Sequence, residues 1–251
     1  MNPVIVFDLN ETLLDMSALD PTFARIFGTA DGAELRKRWF RQVLELFLTA
    51  TVTGKYRRFD KLADDALRML AAQRGREAGA SDRASLEEAI AALSAYPDVR
   101  PGLERLTKAG FTVATLTNSA KKSAIRHLEH AGIEALFDAV LSVDEIERYK
   151  PAREAYEYAA KELAVKPSDI LLVAAHAWDI AGAMAAGCEA AFIARPEKVL
   201  NPAGPKPAFE ARDVSALAGA GSGPEELTRR TAHAPIGGIG PREADAGLMP
   251  R

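Results

Sequence analysis

Residues 4–15 have the sequence VIVFDLNETLLD, in which four apolar residues lead directly into the carboxylate of Asp8. A short apolar run rich in β-branched residues predicts a buried β-strand, here Val4–Phe7. In an open parallel sheet, ligands bind beyond the carboxyl ends of the strands, which makes Asp8 a candidate functional residue. A single Asp at such a position is also a common helix or turn cap, so Asp8 alone does not define a site.

Four further apolar runs follow along the chain and alternate with helical patterns. They lie at residues 111–116, 139–141, 170–174 and 191–194. Strands that alternate with helices form parallel sheets with helices on both faces. The fold class is therefore predicted to be α/β, with a parallel sheet as its core.

A long segment between the first two strands, residues 16–96, has apolar residues at helical spacing and no strand pattern. These residues are Leu35, Trp39, Val43, Leu44 and Phe47, then Phe59, Leu62, Ala66 and Leu70, and finally Leu86, Ile90 and Leu93. We therefore expect a helical subdomain at 16–96, inserted into a core made of residues 1–15 and 97–217. Residues 218–251 are rich in Gly, Pro, Ala and charge without apolar periodicity, so we expect a disordered tail there.

Composition argues against several classes of partner. The 251 residues carry a net charge of −3 with interspersed signs, a field too weak to indicate nucleic acid or membrane binding. Cys188 is the single cysteine, which excludes an intramolecular disulfide and a cysteine metal cluster. No apolar run approaches the length of a membrane span, and the N-terminal residues do not resemble a signal peptide, so we expect a soluble, cytoplasmic protein.

Polar residues follow the other predicted strands as well. They are Thr117, Asn118 and Ser119 after the second strand, Lys150 after the third, and His176, Trp178 and Asp179 after the fourth. Each has an ordinary structural explanation, as a helix cap, a solvated charge or a core side chain. One site explains all of these residues better than separate structural roles do. Successive strand ends carry, in order, a carboxylate, a hydroxyl and amide pair, an ammonium group and a second carboxylate.

These residues lie in four stretches that resemble the four motifs of the haloacid dehalogenase (HAD) superfamily. The stretches are FDLNETLLD, LTNSAKKSA, RYKPAREAY and VAAHAWDIAGA, and the resemblance covers about residues 4–215. Within the superfamily, SVDEIERYKP and AWDIAGA are most similar to the type II 2-haloacid dehalogenases. The resemblance implies a Rossmann-like core with an inserted α-helical cap, and hydrolase activity.

The resemblance also implies catalytic roles for three residues. Asp8 would be the nucleophile, forming an acyl intermediate that water then hydrolyses, the usual logic of covalent catalysis. Lys150 would neutralise and orient the Asp8 carboxylate. Asp179 would fix Lys150 or help to activate the hydrolytic water.

Substrate contacts follow from the same resemblance. Thr117 and Asn118 would donate hydrogen bonds to the substrate or leaving group. The backbone N–H groups of Leu9 and Asn10 would bind the oxyanion when water attacks the ester. The aromatic ring of Trp178 would line the halide-facing part of the pocket, although core packing explains it equally well.

Two positions distinguish a dehalogenase from the phosphatases that dominate the superfamily. The phosphatase pattern has an acidic Asp two residues after the nucleophile, where this chain has Asn10, and a neutral amide cannot protonate a leaving alkoxide. It also has a metal-binding Asp where this chain has Ala175 after Ala174. Because halide leaves as an anion without a proton, we expect hydrolysis of a short halogenated carboxylate, a 2-haloalkanoate, with inversion and with neither metal nor other cofactor.

Other positions depart from the dehalogenase pattern itself. The nucleophile is followed by Asn10, Glu11 and Thr12 where the family pattern is Asp-x-Tyr-Gly-Thr. The family's cap arginine is matched by Phe40, with Arg41 next to it about 100° around the helix, so either residue is a candidate for contacting the substrate. His176 replaces a family Asn and is either a water-activating base near its ordinary pKa or a hydrogen-bonded residue at a strand end.

These departures leave two other functions open. One is an atypical, magnesium-dependent phosphatase, and the other is a catalytically idle binding protein of the same fold. Substrate chain length, halogen and stereochemistry are not fixed by the sequence. Oligomeric state is also open, with a homodimer as the form that similar enzymes often adopt.

Overall fold

The computed structural model describes residues 4–219, in which six strands form one parallel sheet. The strands are β1 (Val4–Phe7), β2 (Val113–Thr117), β3 (Ala139–Ser142), β4 (Ile170–Ala174), β5 (Glu189–Ile193) and β6 (Phe209–Ala211). Their order across the sheet is β3-β2-β1-β4-β5-β6, and every neighbouring pair is parallel. The predicted α/β class with a parallel sheet is thereby confirmed.

Strand β1 occupies the middle of the sheet, between β2 and β4. All four of its residues are buried, as expected for an apolar strand covered on both faces. The strand order reverses between β1 and β4, and that is where open α/β sheets bind ligands. Asp8 lies at this point, immediately after β1.

Sequence patterns predicted β1 and β4 at their observed bounds and missed one strand. The second strand begins at Val113 rather than at residue 111, and the fifth ends at Ile193 rather than at residue 194. The missed strand β6 has three residues, FEA, of which the middle one is exposed. So short an edge strand has neither an apolar run nor a clear alternation from which to predict it.

The chain between β1 and β2 is helical. Its helices are α1 (Asp20–Phe27), α2 (Gly32–Thr53), α3 (Phe59–Ala72) and α4 (Ala80–Ala91). They are followed by α5 (Val99–Lys108), which packs against β2 of the sheet. Helix α2 buries Leu35, Trp39, Val43 and Phe47, spaced by four residues along one face. It packs against α1 and α3 and ends at Gly54, whose φ of 65° terminates the helix. The division into a cap at 16–96 and a core around it stays a prediction.

The remaining helices cover the sheet. They are α6 (Lys121–His130), α7 (Arg153–Glu162), α8 (Ala177–Ala185) and α9 (Val214–Gly219). Within residues 4–219, no helix is both long enough and apolar enough to cross a membrane. The predicted tail at 218–251 lies outside the described residues except for its first two positions, which end α9.

Arg195 links three parts of the core that are distant in sequence. Its guanidinium donates to both carboxylate oxygens of Asp98, at 2.6 and 3.0 Å, and its Nε donates to the carbonyl of Thr12 at 3.0 Å. The Asp98 carboxylate also accepts the backbone N–H of Val214, at the start of α9. The turn after β1 is therefore fixed to the body of the core by a bidentate ion pair.

Candidate active site

Asp8 is the centre of a buried cluster of charged residues. Its Oδ1 accepts a hydrogen bond from Lys150 Nζ at 2.9 Å. Its Oδ2 accepts one from the Thr12 hydroxyl at 2.7 Å and lies 3.2 Å from His176 Nδ1. The Asp8 carboxylate thus has a partner on each oxygen, and its orientation is fixed before any ligand arrives.

Lys150 is completely buried and bridges two carboxylates. Its Nζ lies 2.9 Å from Asp8 Oδ1 and 2.6 Å from Asp179 Oδ2. Burial lowers the pKa of Lys150, but these two carboxylates outweigh burial and raise it above its ordinary value. The ammonium group therefore stays charged, and a buried lysine of this kind is held by its ion pairs.

The side chain of Asn118 holds the backbone of Lys150 in place. Asn118 Oδ1 accepts the Lys150 N–H at 3.0 Å, and Asn118 Nδ2 donates to the Lys150 carbonyl at 3.4 Å. Asn118 follows β2 and Lys150 comes after β3, the neighbouring strand, so the two meet across adjacent strand ends. The substrate contact inferred for Asn118 stays a prediction beside this structural role.

Asp179 lies in the first turn of α8 and is also fully buried. Its Oδ1 accepts a hydrogen bond from the Tyr156 hydroxyl at 2.6 Å, while its Oδ2 faces Lys150. Tyr156 was not singled out from the sequence, although it lies within the RYKPAREAY stretch. A Cβ at Gly182 would lie 2.5 Å from both the Tyr156 hydroxyl and Pro151 Cβ, so only glycine permits this close packing.

The electrostatics of the cluster keep Asp8 ionised. Burial raises the pKa of Asp8, but Lys150, His176 and the Thr12 hydroxyl together lower it well below its usual range. Burial raises the pKa of Asp179, and the Asp8 charge adds to that effect, whereas Lys150 opposes it. Asp8 is therefore ionised at neutral pH, the state that a carboxylate nucleophile needs.

His176 lies between two carboxylates. Its Nδ1 faces Asp8 Oδ2, and its Nε2 lies 3.0 Å from Glu11 Oε2. Burial lowers the pKa of His176, but the hydrogen bonds to Asp8 and Glu11 raise it above the ordinary value. The structure thus places His176 as a hydrogen-bonded residue with a raised pKa, and its role as a water-activating base stays a prediction.

Glu11 was noticed in the sequence only as a departure from the family pattern. Its carboxylate contacts Lys198 Nζ at 2.5 Å and Arg36 NH1 at 3.5 Å, besides His176. Burial raises the pKa of Glu11, but His176 and Lys198 lower it to about 2. Neither Lys198 nor Arg36 carries a local sequence signal, because each becomes part of the site only through the fold.

Helix α2 and the first turn of α8 supply an aromatic wall. The Phe40 ring centre lies 6.2 Å from that of His176, and the Trp178 ring stacks on His176 at 5.1 Å. Trp178 Nε1 is buried and has no hydrogen-bond acceptor within residues 4–219. Arg41, about 100° further around α2, is exposed, so of the two candidates on this helix it is Phe40 that lies beside the cluster.

The turn residues after β1 and β2 contact one another. Thr117 Oγ1 accepts the N–H of Ser119 at 3.1 Å, a contact within the turn and not the helix cap that its position also allowed, because the N-cap of α6 is Ala120 and no side chain caps it. Asn10 Nδ2 donates to Ser119 Oγ at 3.3 Å, and Leu9 is completely buried. The substrate and oxyanion contacts of Leu9, Asn10 and Thr117 therefore stay predictions.

A cleft of about 830 Å³ reaches this part of the site. It runs between the helical segment and α6, and Asn10, Trp39 and Ser119 are among the residues that line it. Asn10 is two residues after Asp8, but Asp8, Lys150 and His176 are not among the residues that line this cleft. Within the described range 4–219, no group of three or more His, Cys, Asp and Glu side chains is arranged to hold a metal ion.

A parallel α/β sheet with a buried Asp, Lys and Asp cluster at its strand ends is the arrangement that a hydrolase with a carboxylate nucleophile requires. The model of the haloacid dehalogenase-like hydrolases matches residues 3–187, and the chain belongs to this family.

Individual relatives and one solved structure agree with the family assignment. The chain is 32% identical over 203 residues to an (S)-2-haloacid dehalogenase of Pseudomonas sp. (strain YL), covering 81% of this chain and 87% of the relative. It is 35% identical over 200 residues to (S)-2-haloacid dehalogenase 1 of Pseudomonas sp. (strain CBS-3), covering 79% and 88%. The L-2-haloacid dehalogenase structure from Xanthobacter autotrophicus superposes with a TM-score of 0.81 at 25% identity, covering 87% of this chain and 97% of that one.

Proposed function

We propose that this protein hydrolyses the carbon–halogen bond of a short 2-haloalkanoic acid through an aspartyl ester on Asp8, without a metal ion. The observation that carries the proposal is the Asp8 carboxylate, held ionised by the buried Lys150 and followed two residues later by the neutral Asn10. The site thus has a nucleophile but no acid at the position where a phosphatase needs one. The relatives named above as (S)-2-haloacid dehalogenases support the same reaction.

In the first step, a carboxylate oxygen of Asp8 displaces the halide from C2 of the substrate. The new C–O bond forms opposite the breaking carbon–halogen bond, so the configuration at C2 inverts. Lys150 stays beside Asp8 and Asp179, which fixes the nucleophile and keeps it deprotonated. Holding the attacking oxygen in a fixed position lowers the entropic part of the barrier.

The halide leaves as an anion and needs hydrogen-bond donors rather than an acid. Trp178 supplies one, because its buried Nε1–H lacks an acceptor within the described part of the chain. An unpaired buried donor costs free energy until an anion occupies it. The Lys150 ammonium, 5.9 Å from the centre of the Trp178 ring, adds positive potential at the same place.

In the second step, water attacks the acyl carbon of the Asp8 ester and releases the 2-hydroxy acid. Asp179 lies nearer to Lys150 Nζ than Asp8 does, and it fixes that lysine or helps to orient the water. The backbone N–H groups of Leu9 and Asn10 lie just after the nucleophile and serve the developing oxyanion. Thr117 and Asn118 contact the substrate from the neighbouring strand end.

A substrate panel tests the proposal. Fluoro-, chloro- and bromoacetate, both enantiomers of 2-chloropropionate, and p-nitrophenyl phosphate are each assayed with and without EDTA. Halide release that EDTA does not change, with the S enantiomer preferred, is the expected result. Phosphate release that depends on magnesium would replace the proposal by the phosphatase alternative, and no turnover of any compound would favour the idle binding protein.

A cytoplasmic location and a homodimer are also proposed. The site described above lies within one chain, so a dimer is not needed to complete it. Light scattering after size-exclusion chromatography measures the assembly, and a mass equal to one chain of 27.0 kDa would exclude the dimer.

A further inference from the structure

The two ring nitrogens of His176 both lie within hydrogen-bond distance of carboxylate oxygens, Asp8 Oδ2 and Glu11 Oε2. A neutral imidazole has one N–H donor and one acceptor nitrogen, so it can satisfy only one of these contacts. With both nitrogens protonated, the ring donates to both carboxylates. With both carboxylates ionised, the geometry therefore favours the doubly protonated imidazolium form of His176.

Both the backbone conformation of Glu11 and the contacts of its side chain hold its carboxylate beside His176. Its φ of 59° lies in the left-handed region, which residues other than glycine adopt at a cost of about 1 kcal/mol or more. Lys198 Nζ contacts Glu11 Oε2, the oxygen that His176 also faces, and Arg36 contacts Oε1. A strained backbone, two cations and His176 thus converge on one buried carboxylate.

We propose that His176 is a catalytic imidazolium whose Nδ1–H stabilises the oxyanion formed on Asp8 Oδ2 during ester hydrolysis, and that Glu11 is the positioning residue that keeps it charged and oriented. This inference rests on the proposed function, because the oxyanion exists only if Asp8 forms an ester. His176 touches a reacting atom, whereas Glu11 acts through His176.

The hydrogen bonds around Asp8 indicate which oxygen is alkylated. Oδ2 accepts the Thr12 hydroxyl and faces His176, so both of its lone pairs have donors. Oδ1 has one donor within the described residues, the Lys150 ammonium, and keeps a lone pair for the attack. Oδ1 therefore becomes the ester oxygen, and Oδ2 becomes the carbonyl oxygen that Thr12 and His176 already face.

The hydrolytic step then balances without a change of charge on His176. Water adds to the acyl carbon, and the C=O electron pair moves onto Oδ2. Thr12 and His176 stabilise this negative charge in addition to the backbone N–H groups of Leu9 and Asn10 proposed above. The intermediate collapses when the electron pair on Oδ2 re-forms the C=O bond and the bond between the acyl carbon and Oδ1 breaks, which releases the 2-hydroxy acid as its alkoxide. Because Oδ1 is the alkylated oxygen, it leaves in the hydroxyl group of the product. The water oxygen takes its place in the Asp8 carboxylate. One proton of the water goes to the product hydroxyl and the other to solvent.

Several charged groups set the pKa of His176. Asp8 and Glu11 face the ring directly, and Lys150, Asp179, Lys198 and Arg36 are one contact further away. The rings of Phe40 and Trp178 cover its faces without charge. Because the protonated form is the active one, kcat falls as the pH rises through the pKa of His176. Removal of the Glu11 charge lowers this pKa, so the alkaline limb moves to lower pH.

The decisive variant is Glu11→Gln, which keeps the side-chain shape and removes the charge. Its kcat for (S)-2-chloropropionate is measured from pH 5 to 10 beside the wild type, with Glu197→Gln as the control because Glu197 pairs with Lys37 in an exposed contact. The alkaline limb of Glu11→Gln is expected to move down by about one pH unit or more, and that of Glu197→Gln to stay. An acidic limb that moves instead would show that His176 is a base and would overturn the proposal.

A second variant separates the two half-reactions. His176→Asn is expected to release about one halide per chain in a rapid burst and then to turn over about 100-fold more slowly, since only ester hydrolysis uses the oxyanion. A long-range ¹H–¹⁵N spectrum of the wild type, assigned by comparison with this variant, is expected to show His176 as imidazolium at neutral pH. A neutral ring in that spectrum would contradict the proposal independently of activity.

The outcomes distinguish this inference from the proposed function. Wild-type protein that releases no halide from any 2-haloacid refutes both. Wild-type protein that turns over normally, with a Glu11→Gln profile identical to its own and the same thermal unfolding midpoint, refutes the role of Glu11 and His176 alone.

Discussion

Lys150 Nζ lies 2.9 Å from Asp8 Oδ1, although 142 residues separate the two in sequence. Both side chains are buried, so the pair is stable only because each charge has further partners. Lys150 also contacts Asp179, and Asp8 also contacts Thr12 and His176. Removing one member therefore changes the protonation of the others, and the mutational predictions follow from this coupling.

Asp8→Asn is expected to abolish halide release, because an amide cannot form the ester. The rate should fall below about one hundredth of the wild-type rate, a loss of more than ~3 kcal/mol in barrier terms. Activity is measured as halide release, with mass spectrometry to exclude deamidation back to Asp. Asp31→Asn, at an exposed position, serves as the control and should keep full activity. A larger residual rate in Asp8→Asn would remove Asp8 from the role of nucleophile.

Lys150→Ala is expected to move the acidic limb of the pH–rate profile to higher pH. Burial raises the pKa of Asp8, and Lys150 is the main group that offsets this, so its loss leaves Asp8 and Asp179 without their shared counter-charge. The shift should be at least about one pH unit, together with a large loss of rate. Lys166→Ala, at an exposed lysine, is the matched control. An unshifted limb at a near-normal rate would make Lys150 dispensable.

Phe40→Arg and Arg41→Ala are expected to behave in opposite ways. Phe40 lies beside His176, so an arginine there can bind the substrate carboxylate and lower KM for haloacetates, by about tenfold. Arg41 is exposed, and its removal should change kcat/KM by less than about threefold, or under ~1 kcal/mol. Steady-state kinetics of both variants on bromoacetate show which of the two residues contacts the substrate. A marked rise of KM in Arg41→Ala would mean that α2 turns a different face to the substrate.

Asp98→Asn is expected to destabilise the fold and to remove part of its dependence on pH. Burial raises the pKa of Asp98, but Arg195 and the Val214 N–H outweigh it and lower the pKa. A depressed pKa contributes stability above the unfolded value, about 3.9, and that stability is lost as the pH falls through the folded value. Urea unfolding at pH 7 should show a loss of about 1–3 kcal/mol, and the difference from wild type should shrink on acidification. A difference that is constant with pH would contradict this account.

The sequence was sufficient for the elements whose signal is local. Val4–Phe7 and Ile170–Ala174 are fully buried strands, and their apolar runs gave the observed bounds. The same holds for the helical face of α2, where Trp39 and Phe47 recur at the spacing of a helix. Asp8, Lys150 and Asp179 were selected because each follows a strand, and parallel strands bring their carboxyl ends to one edge.

The partners of those residues were decided by the tertiary structure. Glu11 and His176 are both departures from the family pattern, and no local feature shows that they contact each other across 165 residues. Tyr156, Lys198 and Arg36 likewise join the site only when helices and loops pack around the strand ends. Local periodicity reports which face of an element is buried, since burial follows side-chain alternation along the chain. The pairing of charged side chains depends on their directions, which long-range packing sets. Only the folded chain therefore determines the protonation of His176 and the exposure of Arg41.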